Sequence, residues 1–304
     1  MTPAFAIILP AFAIILIVRA PGETPGAVLT ALAAQIVPGE AEIILVDGRP
    51  DAPAGDPAFP GIRLIRAPGL NMPQLKARGA LAAQAPALAF LEPKAVPGPG
   101  WAAALRRTLA ETPQAAFGGA VGFGGAPTPA NQAAFIFEYA AFSPAQLAAG
   151  QTRDLPGNNM VLPRAALLAH CADILGAEGL NKPFCQARLI AAGVALRLIP
   201  DMGVVLTTQH RLGPLLRSRG RYARCFGGTR VHLAAPARRW IYRLGAPAVP
   251  VLILTQQLRA MGRAETGPRR PGTLPALVAL CLAWAVGEIT GYWRGPGQAC
   301  RMLY

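Results

Sequence analysis

The chain has 304 residues, 53% hydrophobic and 14% charged, with a formal net charge of +14. Its mean hydropathy of +0.36 excludes a disordered chain, and its length allows a sizeable core in one large domain, or in one domain with an appendage. Five cysteines without a C-x-x-C pair support neither a disulfide framework nor a zinc site, which predicts a reducing cytoplasm. The only two serines, Ser143 and Ser218, lie outside any G-x-S-x-G, which argues against a serine hydrolase.

Residues 3–9 and 10–16 are identical copies of PAFAIIL. The apolar run has no basic flank before it, and Pro10 interrupts it, so it reads as an extension ahead of a buried strand at 12–19 rather than an export signal. A turn follows, with Thr24 as N-cap and Pro25 at the first position of a helix through Ile36. Apolar runs at 41–46, 62–65, 87–91 and 115–123 predict further strands. Helices are expected at 72–84 and 99–111. Strands alternating with helices argue for an α/β fold with a doubly wound, mainly parallel sheet and right-handed crossovers.

The pattern then loosens. Helices are expected at 131–149, 163–170 and 181–192, with strands at 157–162 and 195–199. Between Met202 and Ala264 there are eleven arginines and no acid. Such a one-signed stretch attracts phosphates, anionic lipid or nucleic acid. Two hydrophobic segments close the chain, 246–254 and 273–293. The second is long enough to span a bilayer, with Glu288 its one acid; the first, carrying Pro247 and Pro250, suits an interfacial helix. Because the arginines directly precede these segments, a membrane surface is favoured over nucleic acid, even though Tyr222, Phe226, Trp240 and Tyr242 interleave them. The expected division is 1–235 and 236–304, the latter a set of C-terminal membrane-associated helices.

Ligands of open α/β sheets bind beyond the carboxyl ends of the strands, and two strand ends there carry charge. Asp47 closes one strand and can accept from a base or ribose, or serve as a solvated loop acid. Glu92 and Lys94 follow another strand across Pro93, as a functional pair or a surface ion pair. Gly118–Gly125 has neither a dinucleotide fingerprint nor a phosphate-loop lysine. His170, His210 and His232 have no metal-ligand spacing.

These landmarks resemble a bacterial family 2 glycosyltransferase of the GT-A fold. The residues that carry the likeness are 14–19, EIILVDGRPD at 42–51, Lys76-Ala77-Arg78-Gly79, 89–101 and GNNMVLPR at 157–164. Ala191-Ala192-Gly193, Leu198-Ile199-Pro200 and Gly287–Tyr292 add to it. The resemblance implies sugar transfer, with inversion, from a nucleotide-diphosphate donor to a lipid-linked or polysaccharide acceptor. It places the protein on the cytoplasmic face of the inner membrane, with an anionic membrane surface as partner.

It also implies donor contacts from Glu23, Asp47, Asp51, Lys76 and Arg78, with Asp47 on the base and Asp51 supporting its loop. Asn158, Asn159 and Asn181 fall on the acceptor side. A divalent metal, Mg or Mn, is expected of the family, but Glu92-Pro93-Lys94 stands where its D-x-D ligands belong. The family's base-supplying acid pair falls on Asn181-Lys182, and neither can take a proton as a carboxylate does. Two readings stay open. One is a metal-independent transferase in which Lys94, with Lys182 or an arginine, neutralises the leaving diphosphate and Glu92, or another carboxylate such as Asp154 or Glu178, serves as base. The other is a catalytically inactive binding or scaffold protein at the membrane. All three lysines of the chain (76, 94 and 182) fall in this region.

Overall fold

The computed structural model describes residues 10–19, 22–50 and 61–302. Asp51 and the first copy of the repeated heptapeptide lie outside them. The first strand, β1 (Phe12–Val18), is apolar throughout and buried on both faces, as a central parallel strand is. After helix α1 (Gly26–Ala33) come β2 (Ala41–Asp47) and β3 (Ile62–Arg66). Helix α2 (Met72–Ala82) starts at a capping box: the Asn71 side chain accepts from Gln74 N, and the Gln74 side chain accepts from Asn71 N. Strand β4 (Ala87–Leu91), the short β5 (Ala95–Pro97), α3 (Trp101–Glu111) and β6 (Ala116–Phe123) follow.

Helix α4 (Pro129–Tyr139) is shorter than the sequence predicts. Ser143 precedes a proline and is held extended, which ends the helical run. Beyond it lie β7 (Gly150–Gln151), β8 (Asn159–Pro163), α5 (Arg164–Ala177), α6 (Lys182–Ala191) and β9 (Leu196–Leu206). The last runs seven residues further than expected, straight through Pro200. The arginine-rich stretch forms α7 (Leu212–Leu233) and α8 (Pro236–Leu244), and the closing segments are α9 (Val249–Met261) and α10 (Thr273–Arg294).

The sheet order is β3-β2-β1-β4-β8-β6-β9-β5, with β7 on β9. β3, β2, β1 and β4 are parallel, and β8 is antiparallel to both β4 and β6. The α/β expectation with a mainly parallel sheet is met. One face of the sheet, through Ile15, Ile17, Val46 and Phe90, packs on Leu75 of α2, Leu167 of α5 and Leu189 of α6. The alternate residues Phe12, Ile14, Leu16 and Val18 turn to the other face and are equally buried.

The chain forms two compact units. One comprises Met1–Ala120 and Ala148–Val204, the other Val121–Leu147 and Val205–Tyr304. In the second, α7 and α10 lie parallel at close range: a Cβ on Gly287 would stand 2.1 Å from Gly220 O, and one on Gly291 2.5 Å from Arg224 O. Cys225 of α7 is disulfide-bonded to Cys300, with 4.9 Å between their Cα atoms. This corrects the expectation of no disulfide. The two cysteines are 75 residues apart, and only the pairing of α7 with α10 brings them together. Among the described residues one helix, α10, is long and apolar enough to cross a membrane.

Candidate active site

The carboxyl ends of β1, β2 and β4 and the amino end of antiparallel β8 open on one mouth. Val18 pairs with Asp47, Asp47 with Arg66, Leu16 with Leu91, and Leu91 with Asn159. Register alone therefore brings the charged residues that follow these strands to one edge.

Asp47 is almost wholly buried. Its Oδ1 accepts from Arg49 N and Nε, both at 3.0 Å. Its Oδ2 accepts from Arg49 NH2 at 2.8 Å and Arg66 NH1 at 2.7 Å. Burial alone would raise the Asp47 carboxyl, but its hydrogen bonds to Arg49 and the charges of Arg49 and Arg66 outweigh burial and hold it below its ordinary range. Arg49 NH1 also donates to Glu23 O at 3.2 Å. The Glu23 carboxylate accepts from Arg19 N at 2.9 Å and stands 3.9 Å from Lys94 Nζ. A continuous chain of alternating charge thus runs from Lys94 through Glu23, Arg49 and Asp47 to Arg66.

A second cluster faces it from α2, α6 and the loop before β8. Lys76 Nζ donates to Glu92 Oε1 at 3.1 Å and to Gly157 O at 2.7 Å. Lys182 Nζ donates to Asp154 Oδ1 at 2.5 Å and to Leu155 O at 2.8 Å. Gly157 lies between the two lysines: a Cβ there would stand 3.5 Å from Lys182 Cδ and 4.0 Å from Lys76 Nζ. The start of α6 is fixed against α2 because Gly179, at φ +78°, leaves no room for a side chain beside Pro73, and Leu180 N donates to Pro73 O at 2.7 Å.

The two neighbouring asparagines differ. Asn159 Oδ1 accepts from Trp101 Nε1 at 2.9 Å, and its Nδ2 donates to Ala120 O and Met202 O at 3.2 and 2.6 Å. Both its amide protons are spent inside the sheet, where it locks β8 to its neighbours. Asn158 is fully buried, and neither end of its carboxamide has a protein partner. Asn181 caps α6, its backbone oxygen accepting from Phe184 N and Cys185 N. Arg78 is exposed, two residues from Lys76 and therefore on another face of α2. Asp51 lies outside the described residues. The sequence reading missed Arg49 and Arg66, although Arg66 is the residue that ends β3.

Counted together, five cations (Arg49, Arg66, Lys76, Lys94 and Lys182) meet four carboxylates (Glu23, Asp47, Glu92 and Asp154). Each carboxylate already has a cationic partner. Among the described residues no group of three His, Cys, Asp or Glu side chains is placed to hold a metal ion. The donor set at Glu92-Pro93-Lys94 does not fit a divalent cation, since Glu92 is bonded to Lys76 and an ammonium group takes the place of the second carboxylate.

No family model matches the chain, and no curated protein matches its sequence. Among solved structures, it is similar to the mannosyltransferase PcManGT from Pyrobaculum calidifontis in complex with GDP-Man and Mn2+. That similarity has a TM-score of 0.54 at 13% identity over 95% of this chain and 88% of that one. Weaker likenesses are to GalNAc-T7 with UDP, GalNAc and Mn2+ (TM-score 0.47, 12% identity, 67% of this chain) and to S. aureus TarS 1-349 (0.46, 12%, 93% of this chain and 91% of that one). The chain spans 45% of the GalNAc-T7 structure's length. The fold is GT-A-like.

Proposed function

We propose that the chain is a glycosyltransferase that takes its sugar from a nucleotide-diphosphate donor held at this mouth. The observation that carries the reading is the convergence of Lys76, Lys94 and Lys182, with Arg49 and Arg66, at the carboxyl edge of the sheet in a GT-A-like fold. Lysine is a compact point charge, and a fixed ammonium group at the leaving diphosphate supplies part of the charge stabilisation that a metal supplies elsewhere. Glu92, aimed into the mouth beside Lys76, is our choice for the base, and Asn158 our choice for a polar contact to the acceptor. The acceptor we infer is lipid-linked or polysaccharide, met at an anionic membrane surface; the Cys225–Cys300 bond removes the cysteine-based ground for a reducing compartment.

A second reading has an observation in its favour. Asp47, Glu23, Glu92 and Asp154 are all engaged by cations, as in a site that binds nucleotide without transfer. Turnover of UDP- and GDP-sugars in EDTA and in Mn2+, in wild type and Lys94→Ala, separates the two. The transferase reading expects turnover that survives EDTA and falls in the variant. Donor binding without turnover in either buffer favours the second reading.

A further inference from the structure

The second unit carries a surface that the donor site does not use. Helix α8 has no buried residue. Its sequence places Trp240, Ile241 and Leu244 on one face and Arg238, Arg239, Tyr242 and Arg243 on the other. The polar face is the one fixed to the protein. Arg243 Nε donates to Tyr292 O at 3.1 Å, the Tyr242 ring stacks on Tyr292 at 5.7 Å, and Arg230 lies over Tyr242 at 4.4 Å. The apolar face is thereby turned out, with Trp240, Ile241 and Leu244 exposed by 55, 66 and 74%. Arg243 also spans Trp240 and the exposed Trp293 of α10, 5.3 and 5.7 Å from their rings. Two tryptophans about one arginine, beside an apolar stripe, form the pattern of a membrane–water interface.

Helix α10 is the obvious candidate for a membrane span, but its surroundings argue otherwise. The Gly287 and Gly291 side of the helix is closed against α7, and the neighbour it would carry into the bilayer holds Arg217, Arg219, Arg221, Arg224 and Arg230. Five arginines on a helix packed along α10 are incompatible with a lipid-embedded pair. Glu288 is already satisfied within the protein. It accepts from Trp284 Nε1 at 2.7 Å, from the Tyr292 hydroxyl, and from Arg230 NH1 at 3.4 Å.

We infer that this chain is monotopic: α10 does not cross the bilayer, and the outward face of α8 together with Trp293 lies in the surface of an anionic leaflet. Charge selects the occupant. No acid occurs between Met202 and Ala264; Arg238 stands exposed at the Ile241 edge of the stripe, and Arg239, also exposed, donates to Ala234 O and His232 O at 2.9 and 3.3 Å and keeps its remaining donors for lipid phosphates. The inference rests on the membrane location within the functional reading above, but not on sugar transfer.

Its test uses the full chain with vesicles of phosphatidylglycerol and phosphatidylcholine, and with phosphatidylcholine alone. Flotation with the anionic vesicles, weakened by salt and reversed by alkaline carbonate, is the expected result. Trp240→Glu/Leu244→Glu and, separately, Arg238→Gln/Arg239→Gln should each lower the bound fraction by at least about tenfold. All four residues are exposed, and unchanged melting temperatures confirm folded variants. Retention through carbonate extraction would show a span and overturn the inference. So would wild-type flotation by both variants, a loss of self-association instead of lipid binding in sedimentation velocity, or preference for duplex DNA over vesicles. Nucleoside-diphosphate titration of the same wild-type sample reads the donor site independently, so failure there leaves the vesicle result standing.

Discussion

Removing the Asp47 carboxylate tests the architecture of the mouth most sharply. In Asp47→Ala, four hydrogen bonds disappear at once, three of them to guanidinium groups. The Asp47 side chain is 3% exposed, whereas Arg49 and Arg66 are 20 and 35% exposed. Breaking a fully buried pair costs about 3–5 kcal/mol, because a charge is left uncompensated. Here both guanidinium groups turn to water after the change, which brings the expected loss to about 2–3 kcal/mol. Asp47→Asn keeps one acceptor for Arg49 and should cost about 1–2 kcal/mol. Thermal melting at pH 7 should show Asp47→Ala lower by roughly 4–12 °C. The pH dependence has a definite sign. The Asp47 carboxyl is held below its ordinary range, so its contribution is present above the unfolded-state value and is lost as pH falls through the lower folded value. The gap between wild type and variant should therefore narrow in acid. A shift under about 2 °C at pH 7, or a gap that widens in acid, would refute the clamp.

Three further outcomes follow from the packing. Asn159→Ala removes the acceptor of buried Trp101 Nε1 and the side-chain donors to Ala120 O and Met202 O, and should cost about 2–4 kcal/mol by urea unfolding; a cost below about 1 kcal/mol would contradict its locking role. Gly291→Val sets side-chain atoms against Arg224 O and Gly228 N, so it should lower the melting temperature through separation of α7 from α10, and an unchanged melt would show that the helices have room to part. Cys300→Ser opens a link across 75 residues and should cost about 2–4 kcal/mol in oxidising buffer and nothing in dithiothreitol; identical melts without reductant would refute the bond.

The strands around the mouth were legible because a continuous apolar run such as 87–91 has few other solutions in an α/β chain. Asp47, Glu92 and Lys94 were found for the same reason: each ends or follows such a run. Their partners were not legible. Arg66 reaches Asp47 because β3 lies in register beside β2, and Lys76 reaches Glu92 from a helix sixteen residues earlier. Pairing of that kind is a property of the assembled sheet. Asn158 and Asn159 looked equivalent as an N-N dipeptide, yet Asn159 opens β8 and bonds across the sheet, while Asn158 sits in the preceding turn with its carboxamide unpartnered. Helix α8 was hidden by composition, since its arginines masked an apolar stripe at helical spacing that a search at that period finds. The strand expected at 195–199 is present, but its extension to Leu206 was missed because a proline usually argues against a strand interior.

Titration of UDP and GDP into the chain in EDTA, with wild type beside Lys94→Ala, tests the central claim most directly. Wild type should bind a nucleoside diphosphate saturably without added metal, with affinity weakened about tenfold or more when the Lys94 ammonium group is removed. No binding by wild type, or binding that Lys94→Ala leaves untouched, would contradict it.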